Sequence, residues 1–173
     1  MATGFLRRSA ALAGLLAALV IFAPAKASPQ AEAQAQAEAE AVLDSLHRYA
    51  SEAALEPYLG LFTEDGVFLG TDRSERWPLA EFAPYVAARF ATGTGWTYHP
   101  AERQLAFSDD GTLAWFDEVV VGTRMGPCRG TGVLRKTAEG WRIAHYSLTL
   151  LVPNDLAQGV VDRIQAYEQE PAP

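Results

Sequence analysis

The hydrophobic periodicity of the chain changes once, at Gly93-Thr94-Gly95, and that change restricts the fold to one class. Before it, apolar residues recur at helical spacing. Val42, Leu43, Leu46, Tyr49, Ala50 and Ala53 mark one face of an amphipathic helix over 41–54. Pro57, suited to a first helical turn, starts a second short helix ending near Phe62. Glu64-Asp65-Gly66 reads as a turn and Val67-Phe68-Leu69 as a short strand. Breaks at Trp77-Pro78 and Pro84 lead into a third helix from about Pro84 to Phe90, which the glycines end.

Beyond the glycines the pattern is that of strands. Trp96 to Phe107, Leu113 to Gly122, Arg129 to Lys136 and Trp141 to Val152 read as extended. Asp109-Asp110-Gly111 and Ala138-Glu139-Gly140 are turns, and residues 124–128 a loop. Pro153-Asn154-Asp155 can cap a final helix to about Tyr167. Helices first and an antiparallel meander afterwards is an α+β pattern, and a domain of about 115 residues, over 41–155, can bury one core. Residues 156–173 are left for the C-terminal helix and a disordered tail.

The N-terminus is expected to lie outside that domain. Arg7-Arg8, an uncharged apolar run from Ala10 to Ala23, and Ala25-Lys26-Ala27 have the three-part layout of a secretory signal peptide over 1–27. The run is about 14 residues, short of the roughly 20 that span a bilayer core. The expectation is a chain cleaved near Ala27 and exported to the periplasm or beyond, with no membrane contact after cleavage. A retained anchor is the alternative. Cleavage would remove three basic residues and no acidic one, leaving 11 Lys and Arg against 21 Asp and Glu. Residues 28–40 alternate Ala with Gln or Glu and carry no apolar stripe, so they read as a frayed helical lead-in that buries nothing.

Composition then excludes several function classes. One cysteine, Cys128, rules out an intrachain disulfide framework, zinc fingers and cysteine-ligated iron–sulfur clusters. A net charge of −7 is a poor match for phosphate backbones, so no nucleic-acid partner is expected. Cys128 reads as a small core hydrophobe, since the adjacent Arg129 would point to the opposite face of a strand. The histidines, His47, His99 and His145, make a metal site an unattractive reading, and no cofactor motif is present. Gly130-Thr131-Gly132 lacks the lysine and following helix of a phosphate loop, and its glycines are read as letting the sheet bend.

Several groups are suited to a site, each with a structural alternative. Thr71, Asp72, Glu75, Arg76 and Trp77 cluster on a loop after a short strand. Asp72 is a general base if buried, or a turn cap if not, and Glu75 can pair with Arg76 or Arg103. The histidine side chain is suited to proton transfer, so His99 and His145 are candidate proton carriers, or each simply hydrogen-bonds a neighbour. Asp117 and Glu118 interrupt an apolar strand, and Arg129 on the next strand is the natural partner; the alternative is a catalytic acid. On the last strand, Trp141, Ile143, His145, Ser147 and Thr149 share one face and Ala144, Tyr146, Leu148 and Leu150 the other, unless a bulge inverts the phase partway. Trp77, Trp96, Trp115 and Trp141, with Tyr49 and Tyr98, are suited to line an apolar pocket or to fill a core.

Four stretches and the entry to the first strand together resemble a known family. The entry is Leu61-Phe62-Thr63-Glu64-Asp65-Gly66-Val67-Phe68. The stretches are Leu69-Gly70-Thr71-Asp72 with Glu75-Arg76-Trp77, Ala114-Trp115-Phe116-Asp117-Glu118, Arg129 to Leu134, and Trp141 to Leu148 running on to Pro153-Asn154. They resemble the SnoaL-like branch of the nuclear-transport-factor-2-like superfamily. The resemblance implies a cone of three N-terminal helices on a strongly curved, mostly antiparallel sheet, a pocket inside, and often a homodimer through the sheet. Relatives of the isomerase type use a carboxylate base, a tyrosine and a protonated acid. By that resemblance Tyr49 matches the tyrosine, whereas the base and acid positions fall near Gly70, with Asp72 two residues on, and Gly132.

The reading drawn from these features is an exported domain that binds a small, partly apolar molecule. Its expected ligand-binding residues are Thr71, Asp72, Glu75, Trp77, Trp96, His99, Trp115, Glu118, Arg129 and His145. The alternatives are an acid–base enzyme of isomerase, cyclase or dehydratase type, with Asp72, Tyr49, His99 and His145 as catalytic candidates, and a non-catalytic dimerising module. A shared acid–base site fails if those groups lie more than about 10 Å apart, because a base must reach within about 3 Å of its proton.

Overall fold

Alanines at 35 and 39 continue the spacing of Leu43, Leu46 and Ala50, and the chain follows them into one long helix. In the computed structural model, which describes residues 28–169, α1 runs Pro29–Ser51. The Ser28 hydroxyl accepts from the Ala31 N–H at 3.2 Å, and Pro29 occupies the first turn. The expected lead-in is therefore the first half of α1. Ala39 is fully buried, because a methyl group suffices where the helix meets the sheet. The proposed signal peptide, residues 1–27, lies outside the described residues.

After α2 (Leu55–Leu59), β1 occupies Phe62–Leu69, earlier than the short strand expected. Glu64-Asp65-Gly66 is not a turn but lies inside β1, where the register against the last strand shifts between Phe62 and Val67. The Trp77-Pro78 break becomes a three-residue strand, β2 (Arg76–Pro78), paired antiparallel to β1. α3 runs Leu79–Phe90, five residues longer at its start than expected, with Pro84 inside it. Phe82, Val86 and Phe90 form its buried stripe.

The second half is the expected meander: β3 (Tyr98–Phe107), β4 (Leu113–Gly122), β5 (Gly126–Thr137) and β6 (Gly140–Leu150). A short 3-10 turn (Asn154–Leu156) then leads into α4 (Ala157–Gln169), which buries none of its residues. The six strands form one curved sheet in the order β2-β1-β6-β5-β4-β3, antiparallel except between β1 and β6.

One face of the sheet meets the helices and the other meets solvent. On β4 the inner residues are Ala114, Phe116, Glu118 and Val120, and on β5 they include Cys128 and Leu134, all buried. On β6 the alternation inverts partway. Trp141 and Ile143 are inner, then Tyr146 and Leu148, because the register slips at Ala144 where Val133 pairs with His145 and Leu134 with Ile143. His145 and Ser147 are thereby turned to the outer face. Gly130 and Gly132 sit on the inner face of β5, where side chains crowd. A Cβ at Gly130 would stand 2.3 Å from the Tyr146 hydroxyl, and one at Gly132 would stand 2.2 Å from the His145 carbonyl oxygen. Their role is room for neighbours as much as freedom to bend.

Candidate functional site

Two regions between the helices and the sheet concentrate polar or aromatic chemistry. The first is a buried cluster around Glu118, whose side chain is fully buried on β4. His47, on the inner face of α1, lies with Nε2 2.8 Å from Oε1, and the Tyr146 hydroxyl donates to the same oxygen at 3.0 Å. Arg103, directly across the β3–β4 hairpin, donates from Nε to Oε2 at 2.9 Å. Its Nη2 is 2.8 Å from that oxygen but off the N–H direction, so it acts there as a charge and not as a hydrogen-bond donor. Arg103 Nη1 reaches Asp44 on α1 at 2.8 Å.

These contacts set the protonation of the cluster. Burial pushes the Glu118 carboxyl up, but the His47 hydrogen bond and the His47 and Arg103 charges outweigh it and hold it below the ordinary carboxylate range. Facing an ionised acceptor, His47 Nε2 is its N–H side. Burial first, then the Glu118 charge, pushes the Tyr146 phenol far above its usual value, so it remains a donor. The carboxylate thus accepts from three side chains and has no free side. The expected partner of Glu118, Arg129, is a correction. It is an outer-face residue opposite Val119 and Thr149, so strand parity turns it away from Glu118.

The second region is a cleft of about 190 Å³ walled by aromatic rings. Phe68 on β1 stacks on Phe82 of α3 at 4.4 Å, and Trp77 on β2 stacks on Tyr85 at 4.7 Å. Tyr85 stacks in turn on Trp96, just before β3, at 5.9 Å. Tyr98, Met125 and Leu148 complete the apolar side. The polar rim is Thr71 and Glu75, on the loop joining β1 to β2. That loop is closed by the Gly70 N–H donating to the Glu75 carbonyl at 2.8 Å, and Glu75 Oε2 accepts from the Asp72 N–H at 3.2 Å. Burial first, with the Cys128 and Glu75 charges, pushes the Tyr98 phenol up, so its hydroxyl stays protonated and donates to Met125 Sδ at 3.5 Å.

Of the residues expected to bind a ligand, the cleft gathers Thr71, Glu75, Trp77 and Trp96. Asp72 is exposed. Its carboxylate accepts from the Ser74 hydroxyl and N–H, which hold it below the ordinary range, so it caps its own turn and is not a buried base. Tyr49 is half-buried at the edge of the core, with the Arg48 guanidinium 4.2 Å above its ring. Trp115 is 52% exposed on the outer face of the sheet. His99 and His145 are outer-face residues as well, and they are far apart. His99 pairs with Val121, while His145 is level with Trp115 through Val133. Those rows are separated by the six residues from 115 to 121, roughly 20 Å along β4 at about 3.3 Å per residue. The four acid–base candidates therefore do not share a site. Among the described residues no His, Cys, Asp and Glu group has metal-binding geometry, and no helix is long and apolar enough to cross a membrane.

Sequence reasoning missed Tyr85, Phe82 and Met125 in the cleft and His47, Arg103 and Tyr146 around Glu118. Signals existed for some of them. Phe82, Val86 and Phe90 are helically spaced, which would have moved the start of α3 before Phe82. His47 stands four residues after Leu43, on the buried stripe of α1.

Comparison with known proteins places this architecture. The family model for the SnoaL-like domain matches residues 39–153. No curated protein matches the sequence. Among solved structures, a protein of unknown function from Mycobacterium tuberculosis is 18% identical, with a TM-score of 0.62 over 76% of this chain and 80% of its own. A protein from Novosphingobium aromaticivorans provisionally described as an aromatic ring hydroxylase is 18% identical, with a TM-score of 0.61 over 70% and 92%. A nuclear-transport-factor-2-like protein with a cystatin-like fold from the same organism is 17% identical, with a TM-score of 0.58 over 76% and 92%. At such identities the likeness is one of fold alone. With the family model covering all six strands and most of the helical layer, the chain belongs to the SnoaL-like domain family, and its fold is that of nuclear-transport-factor-2-like proteins.

Proposed function

We propose that this domain, exported by the leader read at residues 1–27, binds a small, partly apolar molecule in the aromatic cleft between α3 and the sheet. The observation that carries the reading is the continuous aromatic wall, Phe68, Trp77, Tyr85 and Trp96, facing a rim with only two polar side chains. Clefts of this composition hold ligands by apolar burial and orient them by a few polar contacts. A dry cavity of about 150 Å³ accommodates benzene. A cleft of about 190 Å³ therefore suits one ring with small substituents. Binding is preferred over acid–base chemistry because Asp72, Tyr49, His99 and His145 lie outside the cleft, and Glu118 is surrounded by its own donors. Pairing with a second copy through the outer face of the sheet is part of the same proposal, supported by Leu113, Trp115 and Val121 exposed there.

Native mass spectrometry of the protein purified from its own host tests the reading. A retained small molecule, lost on replacing Trp77 by Ala, is the expected result. No adduct under gentle conditions, together with unchanged tryptophan fluorescence across a panel of single-ring aromatics, overturns it. The mass by size-exclusion chromatography decides the second copy: twice the chain mass supports it and one chain mass refutes it.

A further inference from the structure

Four residues that wall the aromatic cleft, Tyr85, Trp96, Tyr98 and Met125, also wall a second cavity of about 470 Å³. The two cavities adjoin at those residues, and their charges differ. Glu75 is the charged residue lining the first, whereas Arg89 and Arg124 line the second, with no acidic residue beside them. Arg89, in the last turn of α3, donates from Nη2 to the Gly95 carbonyl at 3.3 Å, which fixes one arm of its guanidinium. Its Nε is buried and has no acceptor. Among the described residues neither arginine is in salt-bridge range of an acidic side chain. Arg76, Arg129, Arg142 and Arg163 also lack an ion pair among the described residues, so what sets Arg89 and Arg124 apart is that both line one cavity beside aromatic rings.

The geometry points to an aryl carboxylate as the ligand class, an inference that rests on the binding reading above. The ring would lie against Tyr85 and Trp96 at the shared wall. The carboxylate would meet Arg89 and Arg124, since a guanidinium fork matches a planar carboxylate and makes charge-assisted hydrogen bonds to it. Glu75 at the opposite end would repel a reversed ligand and accept from a hydroxyl on the ring, so it sets the orientation. A single negative charge is favoured over two by the acidic balance of the chain as a whole. The one-ring size follows from the volume of the first cleft.

The test compares 4-hydroxybenzoate with its neutral analogue 4-hydroxybenzamide by isothermal titration calorimetry on the full chain as it is purified. The acid is expected to bind about 10-fold more tightly than the amide, by the usual worth of a charge-assisted hydrogen bond, and to weaken as salt is added. Arg89→Gln and Arg124→Gln should each weaken the acid several-fold and leave the amide unchanged. Arg124 is on an exposed turn, so its variant keeps the test decisive should Arg89→Gln unfold the α3 terminus. If wild type binds acid and amide equally, the carboxylate inference is overturned while the binding reading stands. If the preference survives in the double variant, the two arginines are not its source and the inference fails. If neither probe binds, the inference fails, and the reading beneath it fails only if the aromatic panel and native mass spectrometry are negative too.

Discussion

The Glu118 cluster and the aromatic cleft occupy the same layer between helices and sheet, yet they are built to opposite rules. Around Glu118, one buried carboxylate accepts from His47, Tyr146 and Arg103, and the Arg103 Nη2 group, which has no acceptor, stands as a charge beside the same oxygen. In the cleft and the cavity beside it, rings are partly exposed, and two arginines line a wall that holds no acidic side chain. The difference teaches where to look for function in this fold. Ionisable groups gathered and mutually satisfied are architecture, here joining α1 to the meander, while binding capacity lies where polar groups have been left incomplete beside an apolar wall.

Removing the central carboxylate is the sharpest way to break the contrast. Glu118→Ala would leave His47, Arg103 and Tyr146 facing a hole, and breaking a buried charge pair from one side costs about 3–5 kcal/mol. The expected result is a melting point lowered by on the order of 10 °C in calorimetry, with no specific loss of probe binding in whatever fraction stays folded. A stability change near zero would mean that the cluster does not tie α1 to the sheet.

Acid titration probes the same cluster with a smaller effect. Glu118 is held below its unfolded value, which is about 4.3, so the unfolded chain takes up a proton first as pH falls. The stabilisation is therefore present in full above that value and is lost as pH falls through the lower, folded one. Asp65, Asp72 and Asp110 are also held low by their hydrogen bonds and act with the same sign, so the contribution of Glu118 has to be read as a difference. Denaturant midpoints of wild type and Glu118→Gln should be furthest apart at neutral pH and converge below about pH 4. Parallel curves down to low pH would show that Glu118 is not ionised in the folded state.

How far the sequence foretold these two regions depends on the kind of signal each carries. The meander was legible because turn residues punctuate alternating strands, and β4 begins and ends where the pattern placed it. The same turn held an unread clue. Counting equally outward from Asp109-Asp110-Gly111 brings Arg103 opposite Asp117, one residue from the observed pair with Glu118 and near enough to single out Arg103, whereas Arg129 was chosen for being on the next strand. Within the cleft, the loop residues Thr71 and Glu75 and the tryptophans Trp77 and Trp96 were legible as a polar cluster beside aromatics. Tyr85 was hidden because Pro84 was taken as the start of α3, the place where a missing N–H costs nothing, whereas the helix starts at Leu79 and carries the proline inside it. The outward turn of His145 was not legible at all. It depends on a bulge at Ala144, and a one-residue slip sends every later side chain to the other face.

Cleft residues should separate binding from stability. Tyr85 is 43% exposed, so Tyr85→Ala removes only part of a ring's burial and should cost about 1–2 kcal/mol in denaturant unfolding, less than Glu118→Ala. It also removes the ring that stacks on both Trp77 and Trp96 and lines both cavities. Affinity for a single-ring aromatic should therefore drop several-fold, the reverse of the pattern expected for Glu118. Equal losses of stability and affinity would show that the cleft is simply core with an open edge.

Asp72→Asn is expected to have the smallest effect, and it discriminates between the functional readings. Asp72 and Glu118 are both held below the ordinary carboxylate range, but for unlike reasons. The Ser74 hydroxyl and N–H do it for Asp72 in open solvent, and a buried set of charges does it for Glu118. An exposed carboxylate bonded within its own turn has no desolvated environment to raise it towards neutrality, so it lacks what a general base at working pH requires. Its loop still presents Thr71 and Glu75 to the cleft, and an amide oxygen can accept from Ser74 as a carboxylate does. Asp72→Asn should thus melt close to wild type and bind single-ring aromatics with unchanged affinity across pH 5 to 8. If instead it removed a pH-dependent turnover of a bound ligand, the acid–base reading would return, with Asp72 as its base and a loop rearrangement needed to bury it.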